Sequence, residues 1–297
     1  MLVKTFTDMI TFTRAGAATY IDAGGLIQTA AANQPRFDYT HGRRQLLLEG
    51  PATNLLLNSA VLATQSVTVT NANHVLSFYG SGSVTLTGAY SGVLAGAGAN
   101  DRSRIAFSAA AGTLTITVSG DVRSAQLELG SHATSYVPTA GSAVTRPADK
   151  AQLTEPVVAL LRSNEASFLV QFQGLSGSGS MRIMGAESFF PIISLDIGGT
   201  LRFDPSLVIE TGLTQPTPAA GVAASIDRAA PLRSAAYNGG SVKSSASSLN
   251  AQLDFVYLGR DRDASTDRFA NGWYDQLVIW PFRMTDADLQ AKAVPYA

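Results

Sequence analysis

Acidic, basic and aromatic residues gather in one stretch near the C-terminal end of the sequence. Six charged residues lie on a predicted loop between 259 and 268, and two adjacent aromatic residues follow on the next predicted strand. Sugar rings stack their C–H faces on aromatic rings, while carboxylates and guanidinium groups bind the hydroxyls. This pattern predicts a carbohydrate-binding surface made of Arg260, Asp261, Asp263, Arg268, Trp273 and Tyr274.

A second candidate surface lies in the first half of the chain. Tyr90 follows a predicted strand, and Asn100, Asp101 and Arg102 lie near the start of another. An aromatic ring beside an amide, a carboxylate and a guanidinium group again fits a sugar site. We interpret the intervening G-V-L-A-G-A-G-A-N segment, Gly92 to Asn100, as a loop between strands of a sandwich.

The loop from 259 to 268 has an alternative interpretation as a calcium site. Asp261, Asp263 and Asp267 supply carboxylates at close spacing, which suits a hard cation. Arginines at 260, 262 and 268 interleave with them and favour a solvated salt-bridge loop instead. Calcium is the only cofactor that the sequence suggests, and no other is expected.

Catalytic patterns are missing from the sequence. Glycoside hydrolysis needs two carboxylates about 5–10 Å apart, and none of the six glutamates is close in sequence to another. A serine triad needs a histidine base, but there is no G-x-S-x-G elbow, and His41, His74 and His132 are well separated. We therefore expect a protein without enzymatic activity, although carboxylates distant in sequence could still meet in space.

Composition excludes several other classes. The 297 residues carry 21 basic and 22 acidic side chains, so the net charge is −1 and argues against a general nucleic-acid binder. There is no cysteine, which excludes disulfide scaffolds and thiolate metal sites. No run of about 18 apolar residues occurs, so we expect no transmembrane span.

Alternation of apolar and polar residues dominates the chain and predicts short antiparallel strands. Ala18–Asp22 is expected to pair with Leu26–Ala30, and Pro35–Tyr39 with Gln45–Glu49, as two hairpins. In T-L-T-I-T-V, from Thr113 to Val118, three apolar side chains face one way and three threonines the other. One face of that strand is then buried and one wetted, as in a β-sandwich.

The predicted fold class is all-β, with two tandem antiparallel sandwich (jelly-roll) domains and one short C-terminal helix starting near Thr285. A strand-rich section at 1–57 precedes the first sandwich at 58–140. A Pro-, Ala- and Ser-rich linker at 141–156 leads to the second sandwich at 157–297. Trp273 and Trp280 are seven residues apart and face opposite sides of a regular strand.

Three segments resemble known families. Phe12–Tyr39 followed by Leu46–Ser59 (L-L-L-E-G-P-A-T-N-L-L-L-N-S) resembles a signature of structural proteins in tailed phages, prophages and gene transfer agents. Ala125–Asp149 is similar to the closing segment of the carbohydrate-binding-like jelly roll that follows this signature. Gly272–Ala291 resembles the final strand and short helix of concanavalin-A-like and laminin-G-like sandwiches.

This resemblance implies a fibre or spike protein, of head or tail, that attaches a particle to host surface polysaccharide. It implies a location on the virion or particle surface after assembly in the bacterial cytoplasm. It also implies a homo-oligomer, trimer or pentamer, that binds other particle proteins through the 1–57 section. By the same resemblance, Trp280 is expected to be the buried tryptophan.

Two alternatives remain open at this point. The chain could be a structural adaptor that links the particle to another fibre and binds no sugar, which would require apolar patches at both ends. It could also be a polysaccharide-degrading tailspike enzyme, which would require a carboxylate pair with at least one raised pKa.

Overall fold

The computed structural model describes residues 6–177, 179–186, 191–196, 198–203, 207–247, 253–261 and 268–296. Of these described residues, 52% are in strands and 7% in helices. The all-β prediction is therefore confirmed. No helix in the described part of the chain has the length and hydropathy needed to cross a bilayer.

Short strands make up most of the elements, and helices of four to seven residues accompany them. Within the described residues they are, in order, α1 (Phe6–Met9), β1 (Ile10–Thr13), β2 (Ala18–Ile21), β3 (Ile27–Ala30), β4 (Arg36–Asp38), β5 (Gln45–Leu48), β6 (Ala52–Asn54), β7 (Gln65–Val69), β8 (Ala72–Gly80), β9 (Ser83–Gly88), β10 (Gly92–Ala95), β11 (Gly98–Ala109), β12 (Gly112–Ser119), β13 (Arg123–Leu129), β14 (Val144–Arg146), β15 (Lys150–Leu153), α2 (Glu155–Leu161), β16 (Glu165–Ser176), β17 (Met181–Gly185), β18 (Pro191–Leu195), β19 (Thr200–Phe203), β20 (Leu207–Glu210), β21 (Ala220–Asp227), β22 (Leu232–Tyr237), β23 (Lys243–Ser245), β24 (Tyr257–Leu258), β25 (Asn271–Trp280) and α3 (Asp286–Lys292).

The chain forms two compact units that are interleaved in sequence. The first unit consists of Met1–Arg14, Asn33–Gly50 and Asp149–Ala297, and the second of Ala15–Ala32 and Pro51–Ala148. This division differs from the predicted boundaries, because the 1–57 section is shared between the units. The predicted linker at 141–156 holds β14 and β15 and the start of α2.

The first unit is a sandwich of two seven-stranded sheets. One has the order β1-β15-β24-β17-β18-β19-β20, and the other β23-β22-β21-β16-β25-β5-β4. Phe168, Val170 and Phe172 alternate along β16 and are fully buried in the core between the sheets. The long strand β16 therefore carries the central part of the core.

Helix α3 covers part of the opposite face of β16. Thr285 is its N-cap and accepts a hydrogen bond from the Asp288 amide at 3.2 Å, as the sequence predicted. Leu289 of the helix packs with Leu169 of β16. Helix α2 was not predicted; it buries three residues of the apolar stretch after Pro156, namely Val157, Val158 and Leu161.

The second unit has a four-stranded sheet, β10-β9-β12-β7, and a three-stranded sheet, β11-β8-β13, with two two-stranded ribbons. Leu114 and Ile116 of β12 are fully buried, as their alternation with threonine predicted. The interpretation of Gly92–Asn100 as a loop is wrong. Positive φ at Gly88 and Gly98 lets the chain turn at both ends of β10 instead.

A buried ion network joins three sequence-distant parts of the first unit. Asp149 accepts a 2.9 Å bond from Arg14 Nη1 and another from Arg36 Nη2, and Arg36 Nη1 donates to Glu49 Oε2 at 2.8 Å. The backbone amide of Glu49 donates to Asp149 Oδ2 at 2.9 Å. The network therefore fixes three segments that are distant in sequence relative to one another.

Asn54 plays a similar part in the second unit. Its Nδ2 donates to the carbonyls of Ala125 and Val137 at 2.9 Å, and its Oδ1 accepts from the amides of Leu56 and Leu127 at 3.1 Å. A fully buried amide side chain that uses both ends in this way fixes the segments around it.

Candidate functional site

The candidate site lies in the first unit, where the hairpin of β4 and β5 joins the edge of β25. Leu46 pairs with Tyr274 and Leu47 with Trp273. Leu46 and Tyr274 point into the core, so Trp273 points to the opposite, outer face of the sheet. The turn between β4 and β5 needs positive φ at Gly42 and brings its polar side chains beside Trp273.

Trp273 is held at two sides and keeps part of its surface exposed. Its Nε1 donates to Asp38 Oδ1 at 2.7 Å. The His41 ring meets the indole edge to face, with centroids 4.5 Å apart and planes at 83°. Both contacts orient the indole, and an oriented, partly exposed indole is a suitable stacking surface for a sugar.

A glycine behind Trp273 makes room for the ring. Gly174 has φ of +65°, and a Cβ there would lie 2.7 Å from indole atoms Cε3 and Cζ3. Only glycine satisfies both the positive φ and this close approach. The indole therefore lies directly against the β16 backbone.

Beside the indole lies a hydrogen-bonded set of planar polar groups. Arg43 binds Asp275 with two bonds, Nε to Oδ1 at 2.7 Å and Nη2 to Oδ2 at 3.0 Å. Arg43 Nη2 also donates to Gln173 Oε1 at 3.0 Å, and Gln45 Nε2 to Asp275 Oδ2 at 2.9 Å. Pairing with Asp275 is the main cause that raises the pKa of Arg43 above its usual value. We call Asp38, His41, Arg43, Gln45, Gln173, Trp273 and Asp275 the indole patch.

A β-bulge gives the indole patch its acidic residue. Gln171 faces Gln276 and Phe172 faces Tyr274, so Asp275 is an extra residue on β25. The bulge also shifts the alternation. Trp273 and Trp280 consequently share the outer face, and the prediction that they face opposite sides is wrong.

Trp280 is partly buried against the Leu169 and Leu289 cluster. The fully buried aromatic residue of this strand is Tyr274, whose hydroxyl donates to the Ala270 carbonyl at 3.2 Å. Burial raises the pKa of Tyr274 far above its usual value. Tyr274 therefore belongs to the core and not to a surface site, whereas the prediction for Trp273 agrees with its position.

The other predicted residues of this half form a structural ion pair. Asp261 is buried, and its Oδ2 lies 3.1 Å from Arg268 Nη1 and 3.7 Å from Arg182 Nε. Arg260 lies over the ring of Phe269, 5.3 Å from its centroid. These residues are close together, but Asp261 is not accessible to a sugar.

The calcium hypothesis remains a prediction. Asp263 and Asp267 lie outside the described residues, and the Oδ2 of Asp261 is shared by two arginines. Within the described ranges no three His, Asp or Glu side chains gather closely enough to hold a metal ion.

The structure separates the predicted site of the second unit. Tyr90 stacks on Phe107 on the core side, with ring centroids 4.3 Å apart. Arg102 donates to Ser77 Oγ at 2.8 Å and to the Thr134 carbonyl on the other side of the three-stranded sheet. Asn100 and Asp101 are exposed. Tyr90 and Arg102 therefore do not form one surface.

The carboxylates of the indole patch are not arranged for acid–base chemistry. Both oxygens of Asp275 accept hydrogen bonds from Arg43, and Asp38 accepts from Trp273 and from the Thr40 amide at 2.9 Å. Burial raises the pKa of Glu128, but this carboxyl group belongs to the second unit and not to the indole patch. The indole patch is suited to binding polar rings.

Sequence reasoning found Trp273 but missed its six partners in the indole patch. Asp38, His41, Arg43 and Gln45 lie around a predicted hairpin turn, and four polar side chains around one turn were the available signal. Nothing local indicated that this turn meets β25. The bulge at Asp275 also has no signal in a sequence of regular alternation.

No family model and no curated protein matches the chain. Solved structures with partial similarity include the CBM40 domain of Ruminococcus gnavus IT-sialidase (13% identity, TM-score 0.37). The alignment covers 46% of this chain and 88% of the CBM40 chain. A second similar structure is a putative carbohydrate-binding protein from Bacteroides ovatus (12% identity, TM-score 0.36). The alignment covers 82% of this chain and 85% of the Bacteroides ovatus chain. Trypanosoma rangeli sialidase is also similar (13% identity, TM-score 0.37), and the alignment covers 48% of this chain and 25% of the sialidase chain. With TM-scores below 0.5, these similarities carry no argument about what this chain binds.

Proposed function

We propose that this chain is a non-enzymatic carbohydrate-binding protein and that the indole patch is its sugar site. One observation carries the proposal: Trp273 is fixed by Asp38 and Gly174 beside a planar set of guanidinium, amide and carboxylate groups. The ring supplies the stacking surface, and Arg43 and Gln173 supply donors and acceptors for hydroxyl groups. Gln45 is buried and holds Asp275 in position.

The preferred ligand is a neutral sugar. Asp275 already binds the guanidinium of Arg43 with two hydrogen bonds, so an acidic sugar would have to compete with a carboxylate of the protein itself. Hydroxyl groups need no such exchange. Lactose should therefore bind more tightly than α2,3-sialyllactose.

The tryptophan content allows a direct test. The chain has two tryptophans, so Trp280→Phe leaves Trp273 as the sole indole reporter. Neutral oligosaccharides of glucose, galactose and N-acetylglucosamine are titrated while its fluorescence is followed. We expect a saturable change for at least one neutral sugar.

Two variants make the test specific to the patch. Trp273→Ala should abolish binding measured by calorimetry, whereas Trp280→Phe should retain it, with circular dichroism confirming that both fold. Equal affinity in wild type and Trp273→Ala would refute the site. Release of reducing ends during incubation would favour a polysaccharide-degrading enzyme instead.

For the wider role, we propose a fibre or spike protein of a phage-like particle, which rests on the sequence resemblance of the segments up to Asp149. Several copies on one particle would bind a polysaccharide together, so weak individual sugar sites would give a higher overall affinity through avidity. Purified protein should adsorb to host cells that carry their surface polysaccharide and not to cells stripped of it. Adsorption independent of polysaccharide, or none at all, would favour the structural adaptor.

A further inference from the structure

A cavity of the first unit lies beside the indole patch and shares Asp275 with it. It has a volume of about 200 Å³ and lies where α1 and β1 approach β4, β5 and β25. Its lining combines polar residues (Arg44, Asp275 and Gln276) with apolar ones, among them Phe6, Met9, Phe37, Leu46 and Leu277. An apolar cavity of about 150 Å³ is large enough to hold benzene, so this one admits a phenyl ring with a short substituent.

A cation is fixed at this cavity. The guanidinium carbon of Arg44 lies 3.5 Å from the centroid of the Phe37 ring, and Phe6 meets Phe37 edge to face at 5.3 Å. Arg44 is exposed, and no described carboxylate pairs with it. Stacking holds the guanidinium plane while its N–H edges remain available to a ligand.

The acidic residue of the cavity lining does not neutralise Arg44. Asp275 also lines the cavity, but Arg43 and Gln45 already bind its two oxygens. A partly apolar cavity next to a guanidinium group that pairs with no carboxylate of the described residues suits a ligand with an apolar body and a single negative charge.

We propose that this cavity binds a small carboxylate whose body is a phenyl ring or a short alkyl chain. The body occupies the space between Phe37, Leu46 and Leu277, and the carboxylate binds Arg44. The cavity shares Asp275 with the indole patch, but Trp273 does not line it, so failure of this proposal would leave stacking of a sugar on Trp273 untouched.

Methionine methyl signals provide the readout. The chain has five methionines; Met9 lines the cavity, whereas Met181, Met184 and Met284 do not. In protein labelled with ¹³C at methionine methyls, 4-fluorophenylacetate should shift the Met9 signal and leave those of Met181, Met184 and Met284 in place. Met9→Leu assigns that signal.

A charge variant with a matched control completes the test. Arg44→Gln should weaken 4-fluorophenylacetate binding roughly tenfold, whereas Arg104→Gln, an exposed arginine of the second unit, should not. The neutral analogue 4-fluorophenylacetamide should bind wild type and Arg44→Gln equally. A Met9 signal unmoved by millimolar 4-fluorophenylacetate, or equal affinities in Arg44→Gln and Arg104→Gln, would overturn the proposal.

Discussion

Trp273 Nε1 donates a 2.7 Å hydrogen bond to Asp38 Oδ1, although the two residues are 235 positions apart. Their strands both flank β5, which pairs with each of them. The bond therefore reports whether the earliest and latest strands of the sheet have come together. It also gives the proposed sugar site its orientation.

Replacement of Asp38 by Ala should weaken sugar binding about tenfold. Hydrogen bonds to a charged group contribute about 1.5–3 kcal/mol, and their loss would free the indole to rotate. Calorimetry with the best neutral sugar measures the effect. Asp22→Ala, a turn carboxylate of the second unit with three hydrogen bonds, is the control and should leave affinity unchanged; equal losses would show that Asp38 has no specific role.

Gly174→Ala should displace the indole as well as strain the backbone. The added Cβ would be 2.7 Å from Trp273, and positive φ costs a non-glycine residue about 1–2 kcal/mol. Gly212 has the same φ of +65° with open space around its Cβ position, so Gly212→Ala shows the backbone cost alone.

Urea denaturation and sugar titration of these two glycine variants should separate the effects. Both variants should lose stability, but only Gly174→Ala should lose sugar affinity. Full sugar affinity in both variants would show that binding does not require the indole of Trp273 to lie against β16.

Asp149→Asn should destabilise the first unit by about 3–5 kcal/mol, because it leaves the buried guanidinium groups of Arg14 and Arg36 without their shared carboxylate. Both tryptophans lie in this unit, so urea denaturation followed by tryptophan fluorescence reports it directly. Asp121→Asn removes an exposed partner of Arg123 and should change stability by less than about 0.5 kcal/mol. A similar small change for Asp149→Asn would contradict the structural role of the network.

The second unit should lose stability as pH rises from 4 towards neutrality. Burial raises the folded-state pKa of Glu128 above the usual value of a glutamate, although Arg102, Thr134 and Gln126 oppose the shift. The protonated form is therefore favoured in the folded state. Its contribution to stability is complete below the unfolded pKa and is lost as pH rises through the folded pKa.

Amide exchange of β13 measured across this pH range tests the prediction, after correction for intrinsic exchange. Protection should fall with rising pH in wild type and stay nearly level in Glu128→Gln. Glu155→Gln, an exposed glutamate of the first unit, should follow wild type. A slope in Glu128→Gln equal to that of wild type would assign the effect to another group.

Local patterns were sufficient for most of the longer strands, the first hairpin and the C-terminal helix. The hairpin of β2 and β3 has the register that the Gly24–Gly25 turn predicted, and Thr285 caps α3. These features depend on residues close in sequence. The pairing of β1 with β15 and of β5 with β25 depends on residues far apart, and the alternation in each strand is the same for any partner.

The candidate site was only partly predictable for the same reason. Trp273 was identifiable because partly exposed aromatic residues beside charged ones are typical of sugar sites. Asp261 has the same composition signal, yet Arg182 and Arg268 bury it as an ion pair. Whether a charged residue meets a ligand or a partner of its own chain depends on tertiary contacts.

The interleaved order of the two units has a consequence during translation. Trp273, the hydrogen-bond partner of Asp38, is synthesised 235 positions later. At a translation rate of about 5–20 residues per second, the interval is on the order of ten seconds or more. Until β25 leaves the ribosome, β4 and β5 lack their neighbour in the sheet. Chaperones that shield unpaired strand edges would therefore act on the first fifty residues of the nascent chain, and a premature stop before β25 would release a product that cannot complete its first unit.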